Sequence, residues 1–369
     1  MIEISLCMIV KDEEKTLARC LDSVKDLVDE IIIVDTGSVD RTIEIAKQYT
    51  DQIFSFPWID DFAAARNFSF LKATKEYILW LDADDVLLEK DRAAFRTLKE
   101  TLSSDVSMVM MRYNVAFDAT GKCTFYYYRE RLLRRDKNYR WEGAIHEVIP
   151  PSGVIQYVEI AVTHQKVKAY DSERNIRIFE KMIADGRILD RRQSYYYARE
   201  LRDHGRYWKA EQILYKILDD DNTWVENRID ACRVLADCLF HEGKDKDALL
   251  ALVRSFQYDI PRAEICCEIG NYFLKKQKYT ISIYWYEQAL KQRPNPIKGG
   301  FCEPDCYGYL PCIQLCVCYD RIGDFKKAQE YNEKAAQWKP ANPSVLYNRN
   351  YFHEMLSKQT AAVKEAKHD

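Results

Sequence analysis

Neither sign of charge dominates this chain. Its 369 residues hold 58 acidic against 55 basic side chains with no long block of one sign. Nucleic acid and anionic membrane surfaces are therefore not its obvious partners. A run of about eighteen apolar residues is also missing, so no transmembrane segment is expected. Met1 to Val10 is apolar but has neither a basic start nor a cleavage site, and reads as a strand rather than a signal peptide. Without a secretory signal, the twelve cysteines are not expected to form disulfides. Cys7, Cys20, Cys123, Cys232 and Cys238 sit in apolar contexts and read as small buried hydrophobes. Cys302, Cys306, Cys312, Cys316 and Cys318 crowd into seventeen positions. Their Cys-x₃-Cys spacings leave zinc open beside buried free thiols. Cys312 and Cys316, four apart on an expected helix next to Leu315, favour packing. These absences lead us to expect a soluble cytoplasmic protein, and the length implies two domains.

Residues 77 to 85 carry the strongest signal. The apolar run Tyr77-Ile78-Leu79-Trp80-Leu81 reads as a buried parallel strand and stops at three carboxylates, Asp82, Asp84 and Asp85. Ligands of open α/β sheets sit beyond the carboxyl ends of strands. Hard oxygen ligands placed there suit Mg²⁺ or Mn²⁺, whose remaining ligands are commonly substrate phosphates. A second acidic strand end lies upstream, where Ile31-Ile32-Ile33-Val34 leads into Asp35. Gly37 permits a tight turn, and Asp40 is placed to cap a helix from Arg41 to Tyr49. A first strand, Ile4 to Val10, ends in Lys11-Asp12-Glu13-Glu14. A helix follows with Leu17, Leu21, Val24 and Val28 on one face. Three such units in succession imply a parallel sheet with all polar ends on one edge.

These motifs give the chain a family resemblance. Met8-Ile9-Val10-Lys11-Asp12-Glu13-Glu14, Asp35-Thr36-Gly37-Ser38-Val39-Asp40-Arg41-Thr42, Ala65-Arg66-Asn67 and Leu81-Asp82-Ala83-Asp84-Asp85 occur in order. Over residues 1 to about 165 the chain resembles a family 2 glycosyltransferase with the GT-A fold. That resemblance implies an α/β, Rossmann-like, mostly parallel sheet, a UDP-sugar donor and a Mn²⁺ or Mg²⁺ cofactor. It places Asp35 on the uracil, Asp82 on the ribose or sugar, Arg66 near the diphosphate or sugar, and Asp84 on the metal. Val10, Glu13, Ser38 and Ala83 fall at matching positions around the nucleotide-sugar. Relatives often carry Asn where this chain has Asp12, and a carboxylate there removes two amide donors.

Further along, Met108 to Met111 reads as a strand and Asp118-Ala119-Thr120-Gly121 as a hairpin turn. Arg129, Arg131, Arg134 and Arg135 offer bidentate contacts to a diphosphate, or else form a solvated strand edge. In Trp141-Glu142-Gly143-Ala144-Ile145-His146-Glu147, two carboxylates compete as the base that inverting sugar transfer requires. If the stretch is extended, Glu142 and Glu147 point to opposite faces and only one enters the cleft. The resemblance favours Glu147, with Trp141 and Gly143 shaping the sugar pocket. It also implies a metal-binding His164 after the strand Val158 to Thr163, with His146 as the rival ligand.

From about Asp171 the periodicity becomes helical. Gly205, Gly243, Gln277 and Gly323 recur at intervals of 38, 34 and 46 residues, followed by the small residues Ala210, Ala248, Ser282 and Ala328. This pattern resembles tetratricopeptide repeats, with an insertion at about Asn295 to Tyr307. Stacked repeats form a superhelix with a groove. The expected organisation is a GT-A domain over residues 1–168, a linker helix over 169–193, and repeats over 194–369. A capping helix is expected over Val345 to Leu356, with a frayed tail after Thr360. The arrangement is similar to that of bacterial family 2 transferases that glycosylate peptides, among them enzymes modifying Cys or Ser of bacteriocin-type peptides. The alternatives are a saccharide or lipid-linked acceptor in surface polysaccharide synthesis, and a non-catalytic scaffold with a relic nucleotide domain. A homodimer is left open.

Overall fold

The computed structural model describes residues 1–167 and 173–365. Residues 168–172, where the expected linker helix begins, lie outside the described residues. The chain divides into two compact units: Met1–His204 with Pro296–Gly300, and Gly205–Asn295 with Phe301–Asp369.

The first unit runs β1 (Ile4–Val10), α1 (Leu17–Asp22), β2 (Glu30–Asp35), α2 (Thr42–Ala46), β3 (Ile53–Ser55), α3 (Phe62–Phe70), β4 (Tyr77–Trp80), β5 (Asp85–Leu87), α4 (Glu89–Thr101), β6 (Met108–Phe117), β7 (Cys123–Arg134), β8 (Ile155–His164), α5 (Glu173–Ala184) and α6 (Arg191–Asp203). Its sheet has the order β3-β2-β1-β4-β7-β6-β8-β5. Strand pairs β1–β2, β1–β4, β2–β3 and β6–β8 are parallel. Pairs β4–β7, β6–β7 and β5–β8 are antiparallel. The sheet is thus mixed and mostly parallel, the antiparallel contacts coming from the β6–β7 hairpin around Asp118 and from β5.

Continuous apolar strands follow from burial on both faces. Leu6, Met8, Ile33 and Leu79 pack into one core with Leu17, Leu21 and Phe95. Their neighbours Cys7, Ile32, Ile78 and Trp80 point to a second core with Phe70, Trp141 and Ile149. Successive residues alternate between the two layers as the pleat requires.

Two helices are shorter than the sequence pattern suggests. α1 ends at Asp22, and Val24 and Val28 pack from the turns that follow rather than from helix. α2 covers only Thr42–Ala46: the Asp40 carboxylate takes the Thr42 amide and hydroxyl at its start, and after Ala46 the chain tightens into turns, with Gln48 N bonding the Ile45 carbonyl and Tyr49 N the Ala46 carbonyl.

The second unit contains α7 (Tyr207–Asp219), α8 (Val225–His241), α9 (Asp245–Arg254), α10 (Ala263–Lys275), α11 (Tyr279–Lys291), α12 (Tyr309–Arg321), α13 (Phe325–Trp338) and α14 (Pro343–Glu365). Gly243, Gln277 and Gly323 each take a left-handed backbone conformation between paired helices. At each, the next amide reaches back to a carbonyl five residues earlier: Lys244 to Leu239, Lys278 to Phe273 and Asp324 to Tyr319. This is the Schellman closure. Gln277 adopts it despite carrying a side chain. Ala210, Ala248, Ser282 and Ala328 are fully buried, so the small residues mark closely packed helices. α14 begins before and runs past the expected capping helix. Residues 360–365, expected as a frayed tail, continue this helix, and residues 366–369 lie outside the described residues.

The unit boundary differs from the sequence reading. Helix α6, expected to open the repeats, belongs to the first unit, where its Glu200 bonds His146 and Asn175. Eleven of the twelve cysteines are buried as free thiols, and Cys123 is half-buried. Cys306, Cys316 and Cys318 share one core while Cys312 joins another, so the crowded sulfurs are spread through helix packing.

Candidate active site

The carboxyl edge of the sheet is assembled by strand pairing. β4 delivers Leu81 to Asp84 into a turn closed by the Asp85 amide on the Asp82 carbonyl, 3.0 Å. The chain then enters β5, whose antiparallel register with β8 sets Asp85 directly opposite His164. Asp84, Asp85 and His164 offer one ligand atom each within 4.8 Å of one another. His164 Nδ1 lies 3.4 Å from Asp84 Oδ1 and 3.6 Å from Asp85 Oδ1. Burial would lower the imidazole's proton affinity, but the adjacent carboxylates of Asp84 and Asp85 outweigh it and lift His164 to about 10. The Tyr113 hydroxyl sits 3.1 Å from the same nitrogen.

Each carboxylate of the turn has its own partner. Asp82 Oδ1 takes Arg66 Nη2 at 2.7 Å, and Arg66 Nε donates to Glu147 Oε1 at 2.6 Å. One buried guanidinium from α3 therefore bridges two acids from distant segments. Burial would raise the Asp82 carboxyl; the charges of Arg66 and then Arg131 prevail and hold it at about 2. Asp85 pairs with Arg131 Nη1 at 3.0 Å, and both side chains are wholly shielded from solvent. Trp80 and Trp141 meet edge to face at 4.8 Å. Arg66, Arg129 and Arg131 lie over the Trp80 ring at 4.8, 4.9 and 3.8 Å. The β7 arginines Arg129 and Arg131 are thus not a solvated strand edge. Their inward placement follows from the pleat of β7 beside β4, and the run Arg-x-Arg was its only local trace.

The β1 and β2 loops are tied together. Asp12 accepts from Val39 N at 2.7 Å while its own amide donates to Ser38 Oγ at 2.9 Å. The carboxylate that departs from the family pattern thus serves as a loop staple. Asp35 accepts from the amides of Gly37 and Ser38 at 3.1 to 3.2 Å. The Val10 carbonyl is taken by Thr36 N, and Glu13 N donates to Thr42 Oγ1. Ala83 is buried inside the acidic turn.

The segment Trp141–Glu147 is not extended. Glu142 and Val148 exchange backbone hydrogen bonds at 2.9 and 3.0 Å and close it into a loop. Gly143 and His146 have φ of +95° and +50°. The closure buries Glu147 against Arg66 and leaves Glu142 exposed, so the opposite-faces argument does not apply. Trp141 is held by Asn67, whose side-chain amide bonds both its N–H and C=O. The indole Nε1 of Trp141 is buried without a hydrogen-bond partner.

His146 is not brought to the acidic cluster. Its Nε2 bonds Glu200 Oε1 at 2.9 Å, and its ring stacks on Tyr196 at 4.3 Å. The left-handed backbone at His146 and the turn beside it aim the two neighbouring side chains, His146 and Glu147, at different partners. Asp85, which the sequence reading counted among the carboxylates of the strand end without singling it out for the metal, joins Asp84 and His164; its register with His164 had no local signal.

The residues present fit a divalent cation. Asp85 Oδ1 is buried with no hydrogen-bond partner, and the donor set of two carboxylates and one imidazole suits Mn²⁺ or Mg²⁺. Asp84, Asp85 and His164 would hold it.

Residues 5–156 match the family model for glycosyl transferase family 2, and residues 312–342 match a tetratricopeptide repeat model. A TPR repeat-containing protein of Synechococcus elongatus is 40% identical over 153 residues, covering 41% of this chain and 36% of that protein. The SPbeta prophage-derived glycosyltransferase SunS of Bacillus subtilis is 31% identical over 143 residues, covering 38% and 33%. An uncharacterized glycosyltransferase of Rickettsia typhi is 34% identical over 90 residues, covering 24% and 30%. The chain spans about a third of the length of these curated relatives. No helix among the described residues is long and apolar enough to cross a membrane. The chain carries a family 2 glycosyltransferase domain over residues 5–156, followed by a helical repeat region that includes a tetratricopeptide repeat over residues 312–342.

Proposed function

We propose that this protein is a metal-dependent inverting glycosyltransferase that moves a hexose from a UDP-sugar to a peptide or protein acceptor. The observation that carries the reading is the pairing of two adjoining clusters at one sheet edge. Asp84, Asp85 and His164 form the first, and Asp82, Arg66 and Glu147 the second. Asp35, at the carboxyl end of β2, is assigned to the uracil. Asp82 and Arg66 are assigned to the sugar and diphosphate, over the tryptophan pair. When bound, the cation neutralises the charge of the departing diphosphate.

Glu147 is the assigned base. It takes the proton of the acceptor hydroxyl or thiol while that atom's lone pair attacks the anomeric carbon. The bond from that carbon to the phosphate oxygen breaks, and UDP leaves with the electron pair. Glu142 lies exposed on its loop, outside the Arg66–Asp82–Glu147 cluster. The repeats downstream of the transferase domain support a macromolecular acceptor.

The test is turnover of UDP- and GDP-sugars by purified protein with Mn²⁺, measured as nucleotide release and as sugar transfer. Release from a UDP-sugar is expected, and Asp84→Ala should cut it at least about a hundredfold. Absence of release from every donor overturns the reading. Transfer to saccharides but to no peptide overturns its acceptor half.

A further inference from the structure

The loop that carries Glu147 is held at its backbone by one set of groups and at its side chains by another. Asn67 fixes Trp141, the Phe62 amide bonds the Ala144 carbonyl at 2.8 Å, and Arg129 reaches the Glu147 carbonyl at 3.3 Å. These contacts anchor the ends and middle of the loop to the transferase domain. The step between His146 and Glu147 is different. His146 carries a side chain in the left-handed region, at φ +50°. Histidine enters that region more readily than most residues other than glycine, but still at a cost that its surroundings must offset. Here the surroundings are α6. Glu200 is 8% exposed, and its Oε1 accepts both from His146 Nε2 at 2.9 Å and from Asn175 Nδ2 of α5 at 2.8 Å. Tyr196, one turn earlier, lies flat on the imidazole at 11° between planes, and Arg192 Nε approaches the His146 carbonyl at 3.4 Å.

We propose that Glu200 is a positioning residue for transfer. By holding His146 against Tyr196 it fixes the left-handed turn that directs the Glu147 carboxylate to Arg66 and Asp82. Glu200 touches no substrate in this assignment; it acts through the loop. A tie from a helix C-terminal to the family 2 domain thus completes the placement of the base. The inference rests on the transfer reading of the site, and its test separates the two.

The experiment compares full-length wild type, Glu200→Ala, Glu200→Gln and His146→Gly in two measurements. Hydrogen–deuterium exchange reads the backbone of residues 141–148 directly. Exchange there should rise about tenfold or more in Glu200→Ala, with strands β1, β2 and β4 unchanged. Glu200→Gln, which keeps an acceptor oxygen for His146, should stay close to wild type. Steady-state kinetics with UDP-sugar and Mn²⁺ should show kcat down about 10- to 100-fold in Glu200→Ala, with donor KM within about twofold. His146→Gly, which tolerates the same φ but lacks the tie, should lose kcat similarly and serves if Glu200→Ala is poorly folded. Unchanged loop exchange in both Glu200→Ala and His146→Gly overturns the proposal. Loss of strand protection together with the loop, unrescued by Glu200→Gln, also overturns it, since Glu200 is then a general structural residue. A wild-type protein inactive with every donor, while the variants still show the loop-specific exchange difference, overturns the transfer reading and leaves standing only the hold of Glu200 on the loop.

Discussion

Arg131 and Asp85 form an ion pair with no solvent access at all, and isolating either charge there is expensive. Removing one partner of a buried pair strands the other, at about 3 to 5 kcal/mol, whereas replacing both with neutral groups costs much less. Arg131→Met should therefore lower the urea midpoint sharply, and Arg131→Met with Asp85→Asn should recover most of the loss. Cation binding, followed by manganese electron paramagnetic resonance, should stay weak in the double variant because Asp85 Oδ1 has lost its charge. A second residue-scale case is Glu268 of α10. Burial raises its carboxyl most, the neighbouring Glu303 and Asp230 add to this, and Arg233 only partly offsets them, leaving it at about 7 against an ordinary 4.5. The folded state then binds the proton more tightly than the unfolded one. Its contribution to stability is complete below pH 4.5 and is lost as pH rises through 7. Melting temperature measured from pH 5 to 8 should fall less in Glu268→Gln than in wild type.

At the scale of elements, the repeats offer a clean test of turn chemistry. Gln277 occupies the position that Gly243 and Gly323 fill in the neighbouring turns, with the same Schellman hydrogen bonds. A side chain in that conformation costs roughly 1 kcal/mol, so Gln277→Gly should stabilise the protein by about that amount in denaturant unfolding. Gly270 behaves oppositely. A methyl there would meet the Tyr286 ring at 3.0 Å, so Gly270→Ala should cost about 1 to 3 kcal/mol unless α10 and α11 separate. The recurrence of these turns was legible in the sequence because a glycine interval is local information. So were the acidic strand ends, since an apolar run that stops at Asp35 or Asp82 announces where the sheet presents polar groups. Pairings between remote segments were not legible. The β5–β8 register that joins Asp85 to His164, and the closure of 142–148 that separates Glu142 from Glu147, depend on which strands become neighbours. His146 looked like a ligand because an imidazole near a carboxylate has that chemistry. Its actual partner, Glu200, lies 54 residues away on a helix whose periodicity resembled the repeats.

For the whole molecule, the transferase fold does not end where its family resemblance ends. Residues 5–156 match the family 2 model, while the compact unit that holds the site continues to His204. Shortened proteins should register the difference. One stopping at Leu189 lacks Tyr196 and Glu200 and should show a loosened 141–148 loop by hydrogen exchange, whereas one stopping at His204 should keep it protected. Donor hydrolysis by the longer form with loss of peptide transfer would locate acceptor capture in the repeats.

The distribution of sulfur gives the two units an internal clock. Cys7, Cys20 and Cys123 lie in the first and the remaining nine in the second, and only Cys123 is less than buried. Burial also pushes the Cys232, Cys266 and Cys316 thiols up to about 12, so in the folded chain an alkylating reagent finds little thiolate to attack. Modification of the interior sulfurs then waits on unfolding. Mass increments of two against nine would record, in one reaction mixture, the separate lifetimes of the first unit and the helical repeat unit.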